Sequence, residues 1–203
     1  MIPRKIFTMW FGDNPSELVK RCIKSQQIEG YEHQIITLDN AYKDYRYVRE
    51  AIETTKLGTG KWCKVSDFLR QHYLFTEGGI YLDADVEILP GKNFDALLDN
   101  QIFVGYEQNG TISSCVMGAE PHHPLQGIIL SQVEDNFRGD GGWIWEPGMK
   151  YFIDTLNMIN RPNMGIKILP AEYFFPYDWQ KKTTNITPNT ITNHHFMGSW
   201  VNG

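Results

Sequence analysis

The segment from residue 61 to residue 90 constrains the fold of this chain more than any other part of the sequence. Apolar residues recur there at helical spacing and predict a helix over residues 61–77, which the pair Gly78-Gly79 ends. The β-branched and apolar residues that follow, over residues 80–90, predict a strand that enters a turn. A helix that leads directly into a buried strand is typical of α/β proteins, in which such units build a largely parallel sheet.

The rest of the chain continues this alternation of elements. We predict strands over residues 1–12, 33–38, 102–106, 112–117, 166–169 and 190–192, the first ending in a turn at residues 12–15. We predict helices over residues 16–29, 40–55, 125–137 and 148–159. The chain has 203 residues and no segment with the composition of a linker, so we expect one α/β domain over residues 1–203.

Composition narrows the classes of function and the compartment. The formal net charge of -5 argues against broad nucleic-acid binding, which usually needs a basic surface. The three cysteines include no Cys-x-x-Cys pair, which argues against a disulfide framework or a zinc–thiolate site and favours a reducing cytoplasm. No stretch approaches the roughly 20 apolar residues that span a bilayer. We therefore expect a cytoplasmic protein without a transmembrane segment, with peripheral contact to the inner membrane left open.

Asp83 and Asp85 lie two residues apart where the predicted strand ends. The two-residue period of a strand places both on one face, with their apolar neighbours directed into the core. Two carboxylates at such a position can hold one hard divalent cation. Ligands of open α/β sheets bind at the ends of strands. The alternative is a pair of solvated loop aspartates.

Asp67 and Arg70 lie three apart on the preceding helix and therefore on one face of it. Taken alone, they could form a surface ion pair of little energetic value. Together with the aspartate pair they form a longer pattern. It reads Ser-Asp-x-x-Arg over residues 66–70, then Leu74, then Gly-Gly-Ile-Tyr-Leu-Asp-x-Asp over residues 78–85.

This pattern resembles the Asp-x-Asp sugar transferases of glycosyltransferase family 32. That family includes fungal initiating mannosyltransferases and bacterial capsule and lipopolysaccharide sugar transferases, and the clostridial glucosylating toxin core is a more distant relative. Residues 2–6, 10–12 and 194–200 are also similar to the start and end of the family pattern. The resemblance implies a GT-A fold, a mostly parallel nucleotide-binding sheet flanked by helices. It further implies a nucleotide-sugar donor, a divalent metal (Mn2+, or Mg2+) and retention of anomeric configuration.

The resemblance also implies roles for individual residues. Asp85 would bind the metal directly, and Asp83 would contact the ribose or sugar hydroxyls of the donor and support the metal through water. Asp67 and Arg70 would contact the donor sugar and its diphosphate, and a bidentate arginine suits phosphate or sugar hydroxyls better than lysine. Tyr81 would line the nucleotide pocket.

Two tryptophans and a histidine complete the implied donor site. Trp10 would stack on the base, and Trp200 either closes over the donor or only packs the last segment. His194 and His195 are adjacent, so on a strand at most one of them reaches the metal. The resemblance favours His195, because the closing block of the family often has a histidine there. The alternative is two polar residues beside a buried Trp200.

We therefore predict a retaining, metal-dependent hexosyltransferase that moves a sugar from a nucleoside diphosphate to a hydroxyl of a glycan or lipid-linked acceptor. UDP-sugars are favoured as donors by the resemblance, and surface polysaccharide synthesis is the expected setting. Glu107 could orient the acceptor hydroxyl or be a plain loop acid. No residue stands out as a nucleophile on the far face of the sugar, which favours a same-face route. The alternatives are a non-catalytic nucleotide-sugar or glycan binding module and a metal-dependent phosphoesterase.

Overall fold

The computed structural model describes residues 1–12, 14–41, 62–136, 153, 155–156 and 165–197. Its helices are α1 Glu17–Ser25, α2 Trp62–Thr76 and α3 Pro124–Asn136. Its strands are β1 Lys5–Met9, β2 Glu32–Ile36, β3 Gly79–Leu82, β4 Val86–Ile88, β5 Ile102–Tyr106, β6 Ile112–Ala119, β7 Ile166–Leu169, β8 Tyr177–Asp178, β9 Thr183–Thr184 and β10 Thr192–His194. The predicted helix over residues 40–55 and most of that over residues 148–159 lie outside the described residues.

Six strands form the central sheet, in the order β2-β1-β3-β6-β5-β7. β1 is parallel to both β2 and β3, and β5 is parallel to β7. Only β6 runs against its two neighbours, β3 and β5. The predicted α/β class with a mostly parallel sheet is therefore confirmed.

The central strands are buried on both faces, because successive residues of β1, β3 and β5 enter different apolar clusters. In β1, Ile6 belongs to one cluster and Phe7 to the other, and in β3 Ile80 and Tyr81 divide in the same way. The cluster around Phe7 also contains the apolar side chains of α2 and α3. The cluster around Ile6 is completed by phenylalanines from loops and from β5.

The glycine pair after α2 aligns β3 with β1. Gly78 and Gly79 have φ angles of +66° and +119°, which residues with a Cβ rarely adopt. A Cβ on Gly79 would also lie 2.7 Å from the carbonyl oxygen of Lys5. The pair therefore ends the helix and allows the two strand backbones to approach, as the sequence predicts.

The predicted single strand over residues 80–90 is wrong. The chain turns after β3, where the Val86 N–H donates to the Asp83 carbonyl at 3.0 Å, and β4 then pairs antiparallel with β10 instead of joining the central sheet. Asp83 and Asp85 thus lie in a turn, so the argument from strand parity that placed them on one face does not apply. β10 itself begins two residues later than the strand predicted at residues 190–192.

Candidate active site

The candidate site lies at the carboxyl ends of β1 and β3. Since these strands are parallel, with Thr8 opposite Leu82, the residues that follow them meet at one edge of the sheet. Trp10 follows β1 and Asp83 follows β3. Open α/β sheets bind their ligands at this edge.

Arg70 of α2 is the best-connected side chain of the site. Its Nη2 lies 2.9 Å from Asp67 Oδ1 and 3.4 Å from Asp83 Oδ1. Its Nη1 donates to the carbonyl and hydroxyl oxygens of Ser114, at 3.0 and 2.7 Å. The guanidinium also lies over the Tyr81 ring, and its Nε is buried without a hydrogen-bond partner in the part of the chain that the structure describes. The terminal nitrogens thus bind protein groups, and the predicted contact of Arg70 with the donor stays a prediction.

Charge and burial act in opposite directions on this arginine. Burial lowers the pKa of Arg70, but the neighbouring Tyr81, Asp83 and Asp67 outweigh it and raise the pKa above its ordinary value. Burial and the Asp83 carboxylate raise the pKa of Tyr81, against the opposing effect of Arg70. The site therefore contains a permanent buried cation and a neutral phenol that donates a hydrogen bond.

Asp83 is oriented by its neighbours on three elements. The Tyr81 hydroxyl donates to Asp83 Oδ1 at 2.7 Å, and the backbone N–H of Asp83 donates to the Cys115 carbonyl at 2.9 Å. Three residues, Asp83, Cys115 and His194, each present one possible metal-ligand atom, and these three atoms lie within 4.8 Å of one another. This clustering links the turn after β3 to β6 and β10.

Asp85 contacts His194 and the backbone beyond it. His194 Nε2 lies 3.2 Å from Asp85 Oδ1, and the Met197 N–H donates to Asp85 Oδ2 at 2.9 Å. Burial lowers the pKa of His194, but Asp85 outweighs it and raises the pKa. Burial raises the pKa of Asp85, while His194 and the Met197 N–H outweigh it and lower the pKa. The two directions agree on a stabilised ion pair.

A strained residue shapes this end of the site. Phe196 has a φ angle of +49°, in the left-handed region that an aromatic residue seldom occupies. Its ring centroid lies 4.1 Å from that of His194. The bend at Phe196 directs the Met197 N–H at Asp85, so the strain accompanies a contact with the site.

The two adjacent histidines have different partners. His194 contacts Asp85, whereas His195 Nε2 lies 2.8 Å from Glu87 Oε2. The structure thus brings His194, not the favoured His195, against the aspartate pair. Metal binding by either histidine stays a prediction.

The side chains at this edge fit a divalent cation of the expected kind. Two carboxylates and an imidazole are ligands that manganese accepts. His194 Nδ1 is buried without a hydrogen-bond partner among the described residues, and metal binding through Nε2 would displace the proton that Nε2 shares with Asp85. The arrangement could therefore hold Mn2+ through Asp85 and His194, or Mg2+ through carboxylate oxygens, with Asp83 nearby.

A bulge in β6 brings in two residues that sequence reasoning missed. Val104 of β5 is opposite Met117, but the next residue, Gly105, is opposite Ser113. The intervening residues of β6 bulge out of the ladder, and Ser114 and Cys115 among them contact Arg70 and Asp83. Bulges often redirect side chains at active sites. The serine pair was the available signal, but a bulge is defined only by its partner strand.

Gln26, at the end of α1, is the third residue that was missed. It is fully buried, and its Nε2 donates to the carbonyls of Asp83 and Val86 at 3.1 and 2.8 Å. Its Oε1 accepts from the Thr8 hydroxyl. Gln26 therefore holds both ends of the aspartate turn. Its position just after an amphipathic helix gave no indication of this role.

The remaining predicted residues differ in how far the structure describes them. The Trp10 side chain is partly buried, and its Nε1 has no hydrogen-bond partner among the described residues. The Trp10 backbone N–H donates to the Ile36 carbonyl. Glu107 is half-buried in the turn after β5, where its charge helps to raise the pKa of His194. Trp200 lies outside the described residues.

Comparison with known proteins decides the family. Residues 1–132 match the family described as capsular polysaccharide synthesis protein, and this range contains the whole pattern from Ser66 to Asp85. The chain belongs to that capsular polysaccharide synthesis family. The predicted relation to capsule sugar transferases is thereby confirmed.

Curated proteins that are similar to this chain include the lactosylceramide 4-alpha-galactosyltransferases of Mus musculus and Homo sapiens. Each is 26% identical over 63% of this chain. The chain spans only 37% of the length of either relative.

Solved structures confirm the glycosyltransferase fold of this family member. The PaToxG glycosyltransferase has a TM-score of 0.54 and 17% identity, over 77% of this chain and 69% of its own. A glycosyltransferase involved in glycosylation of the major capsid of PBCV-1 has a TM-score of 0.54 and 13% identity, over 98% and 96%. Of the helices in the described part of the chain, none has the length and apolarity needed to cross a membrane.

Proposed function

We propose that this protein is a retaining, metal-dependent glycosyltransferase. It transfers a sugar from a nucleoside diphosphate, with UDP favoured, to a hydroxyl of a glycan or lipid-linked acceptor in surface polysaccharide synthesis. The observation that carries this proposal is the meeting of Arg70, Asp83, Asp85 and His194 at one edge of a glycosyltransferase-type sheet. Membership of the capsular polysaccharide synthesis family supports the biological setting.

The metal would be Mn2+, held by Asp85 and His194, or Mg2+, held through carboxylate oxygens, with Asp83 in support. A bound divalent cation would supply a Lewis acid that neutralises charge on the departing diphosphate. Asp85 and His194 lie 3.2 Å apart, so both could contact one ion. The Met197 N–H donates to Asp85 Oδ2 and would keep that carboxylate oriented.

Arg70 and its partners orient the two carboxylates that would contact the donor. The guanidinium fixes Asp67 and Asp83, and the Tyr81 hydroxyl fixes the same oxygen of Asp83. Both carboxylates remain about a fifth exposed, so they can accept hydrogen bonds from donor hydroxyls. Trp10, at the end of the neighbouring strand, offers an aromatic face to the base.

Retention follows from a same-face route. The charged groups of the site lie on the side of the sugar that would face the metal and the diphosphate. On that side, an oxygen of the leaving phosphate can take the proton of the acceptor hydroxyl. Glu107, in the turn after β5, would orient that hydroxyl. The curated relatives are named as alpha-galactosyltransferases of lactosylceramide, which supports a sugar hydroxyl on a lipid-linked acceptor.

The test is a donor screen with and without Mn2+, on wild type and on Asp85→Asn. Thermal stabilisation reports binding, and release of nucleoside diphosphate reports turnover. We expect one donor to stabilise the wild type only with metal and to be turned over slowly without acceptor. Asp85→Asn should lose both effects, while Asp99→Asn, at an exposed position, should keep both.

Two outcomes would contradict the proposal. Donor binding without metal and without any turnover would indicate a nucleotide-sugar binding module. Hydrolysis of simple phosphate esters in preference to nucleotide sugars would indicate a phosphoesterase. Product analysis by NMR then decides retention, because an inverted anomeric centre would exclude the same-face route.

A further inference from the structure

A second group of metal-binding side chains lies beside the candidate active site. Cys22 of α1, Glu87 of β4 and His195 after β10 each present one ligand atom, and the three atoms lie within 4.8 Å of one another. His195 Nε2 and Glu87 Oε2 are already 2.8 Å apart. Residues from three separate elements thus converge on one point, although the sequence spacing argued against a zinc–thiolate site.

The chemistry of this group differs from that of the aspartate pair. A thiolate, an imidazole and a carboxylate are the ligand types that zinc prefers, whereas magnesium and calcium prefer oxygen alone. At zinc bond lengths, tetrahedral ligand atoms lie about 3.5 Å apart. The most distant pair therefore needs to approach by about 1.3 Å at most, and the Glu87–His195 pair, at 2.8 Å, needs to separate by about 0.7 Å.

Burial leaves room for one further ligand. Cys22 is fully buried, while the side chains of Glu87 and His195 are 24% and 19% exposed. A cation there would be covered on the protein side and open on the other, where water can complete a tetrahedron. Arg21 also contacts Glu87, with Nε 3.3 Å from Oε1 and Nη2 3.4 Å from Oε2. The Arg21 side chain is 60% exposed and can move into solvent when Glu87 binds a cation.

We propose that Cys22, Glu87 and His195 form a zinc site that is distinct from the Asp85–His194 site. The proton of the Cys22 thiol leaves to solvent as the sulfur–metal bond forms. The bound ion would tie the segment at His195 to α1 and β4. His194 directly precedes His195 in the chain. The bound ion would therefore also restrict the movement of His194 against Asp85, without taking part in sugar transfer.

The experiment is a titration of the metal-free protein with Co2+, which reports a thiolate ligand by a sulfur-to-cobalt charge-transfer band. We expect this band in wild type and its loss in Cys22→Ser. Cys115→Ser is the matched control, because Cys115 lies in the Asp83–His194 group, and it should retain the band. Cys63→Ser should retain it as well. Excess Zn2+ should abolish the band by displacing cobalt.

A second variant covers the case in which Cys22→Ser does not fold, since Cys22 is buried in α1. His195→Gln is partly exposed and should fold, which circular dichroism would check. Loss of even an outer-sphere partner typically weakens metal affinity by about 10–100-fold, so loss of this ligand should weaken it at least tenfold. Zn2+ should raise the melting temperature of wild type and have no such effect on His195→Gln.

Three results would overturn the proposal: no charge-transfer band in wild type, a band that survives Cys22→Ser, or a band lost only in Cys115→Ser. The last result would place the soft metal in the active-site group instead. These outcomes are independent of the proposed transferase activity, which is tested with Mn2+ on Asp85→Asn. A folded Cys22→Ser protein should retain Mn2+-dependent turnover whether or not zinc binds.

Discussion

The Arg70 guanidinium carbon lies 4.5 Å from the centre of the Tyr81 ring, and the hydroxyl of the same ring donates to Asp83. The Tyr81 side chain therefore stabilises the buried Arg70 guanidinium through the face of its ring and the Asp83 carboxylate through its hydroxyl. Asp83 in turn receives Arg70 Nη2. The three residues form a closed triangle, so a change in Tyr81 affects both charged groups of the candidate site.

Tyr81→Phe should separate the two functions of this ring. The phenylalanine keeps the contact with Arg70 and removes the hydrogen bond to the charged Asp83, so the free energy of unfolding should fall by about 1.5–3 kcal/mol. Tyr81→Leu also loses the aromatic face, and its cavity should raise the cost to about 3–5 kcal/mol. Chemical denaturation measures both values. Equal losses in the two variants would show that the hydroxyl carries the whole effect.

Ser114→Ala should weaken the hold on Arg70. The hydroxyl accepts from Nη1 at 2.7 Å in a buried setting, and hydrogen bonds to charged groups contribute about 1.5–3 kcal/mol. We expect a loss of that size in stability and a lower kcat for donor turnover, because Asp83 shares the same guanidinium. Ser113→Ala is the control, since the backbone hydrogen bond that Ser113 Oγ accepts comes from an uncharged N–H and is long, at 3.4 Å. A larger effect from Ser113→Ala would contradict this account.

Gln26→Leu should disturb the aspartate turn from the side opposite the site. The substitution removes the amide donor from both carbonyls. The Asp83 carbonyl keeps the Val86 N–H, but the Val86 carbonyl loses its side-chain donor, at a cost of about 1–3 kcal/mol in the free energy of unfolding. Metal-dependent turnover should fall as well. Gln27→Leu changes the neighbouring exposed glutamine and should have little effect on either measurement. Turnover unchanged in a folded Gln26→Leu protein would show that the turn keeps its shape without the amide.

His33 should make the protein less stable in mild acid. Burial lowers the pKa of His33 below 6.5, so under acid conditions the unfolded chain binds a proton that the folded chain resists. Stability should be unaffected above pH 6.5 and should fall below it, by up to about 1.4 kcal/mol per pH unit, until the folded pKa is reached. Denaturation of wild type and His33→Gln between pH 7 and pH 5 measures the difference, and a flatter profile is expected for the variant.

The exposed His122 provides the control for this pH experiment. Asparagine tolerates its left-handed φ of 58°, so His122→Asn should fold normally. Its profile should follow that of wild type. If His33→Gln retained the full acid dependence, another group would have to be responsible.

Local pattern was sufficient for the elements that build the sheet. The apolar spacing of α2 and the glycine pair after it located the helix end and the start of β3, because both signals lie within a few residues. The two sides of the sheet could also be expected, since every residue of β3 is buried. What failed was the extent of that strand: β4 leaves the sheet because it pairs with β10, and no local feature of residues 86–88 encodes a partner so distant.

The candidate site, like the fold, was predictable only in its local features. Arg70, Asp83 and Asp85 could be named from their motif, but the contacts of these residues could not be predicted from it. Which of two adjacent histidines meets Asp85 depends on the register of β10 against β4, where His194 is opposite Val86. Ser114 reaches Arg70 only because β6 bulges against β5. Both facts belong to pairing between strands, which a single sequence leaves undetermined.

The pairing of β10 with β4 also sets when the site can exist during protein synthesis. Thr192 is opposite Ile88, so about a hundred residues separate the two halves of the Asp85–His194 contact along the chain. At the usual elongation rate, a ribosome needs about 5–20 s to cover that interval. Through that time the nascent chain has its aspartate turn but lacks the histidine. The Asp85–His194 contact can therefore form only after residue 194 has been synthesised.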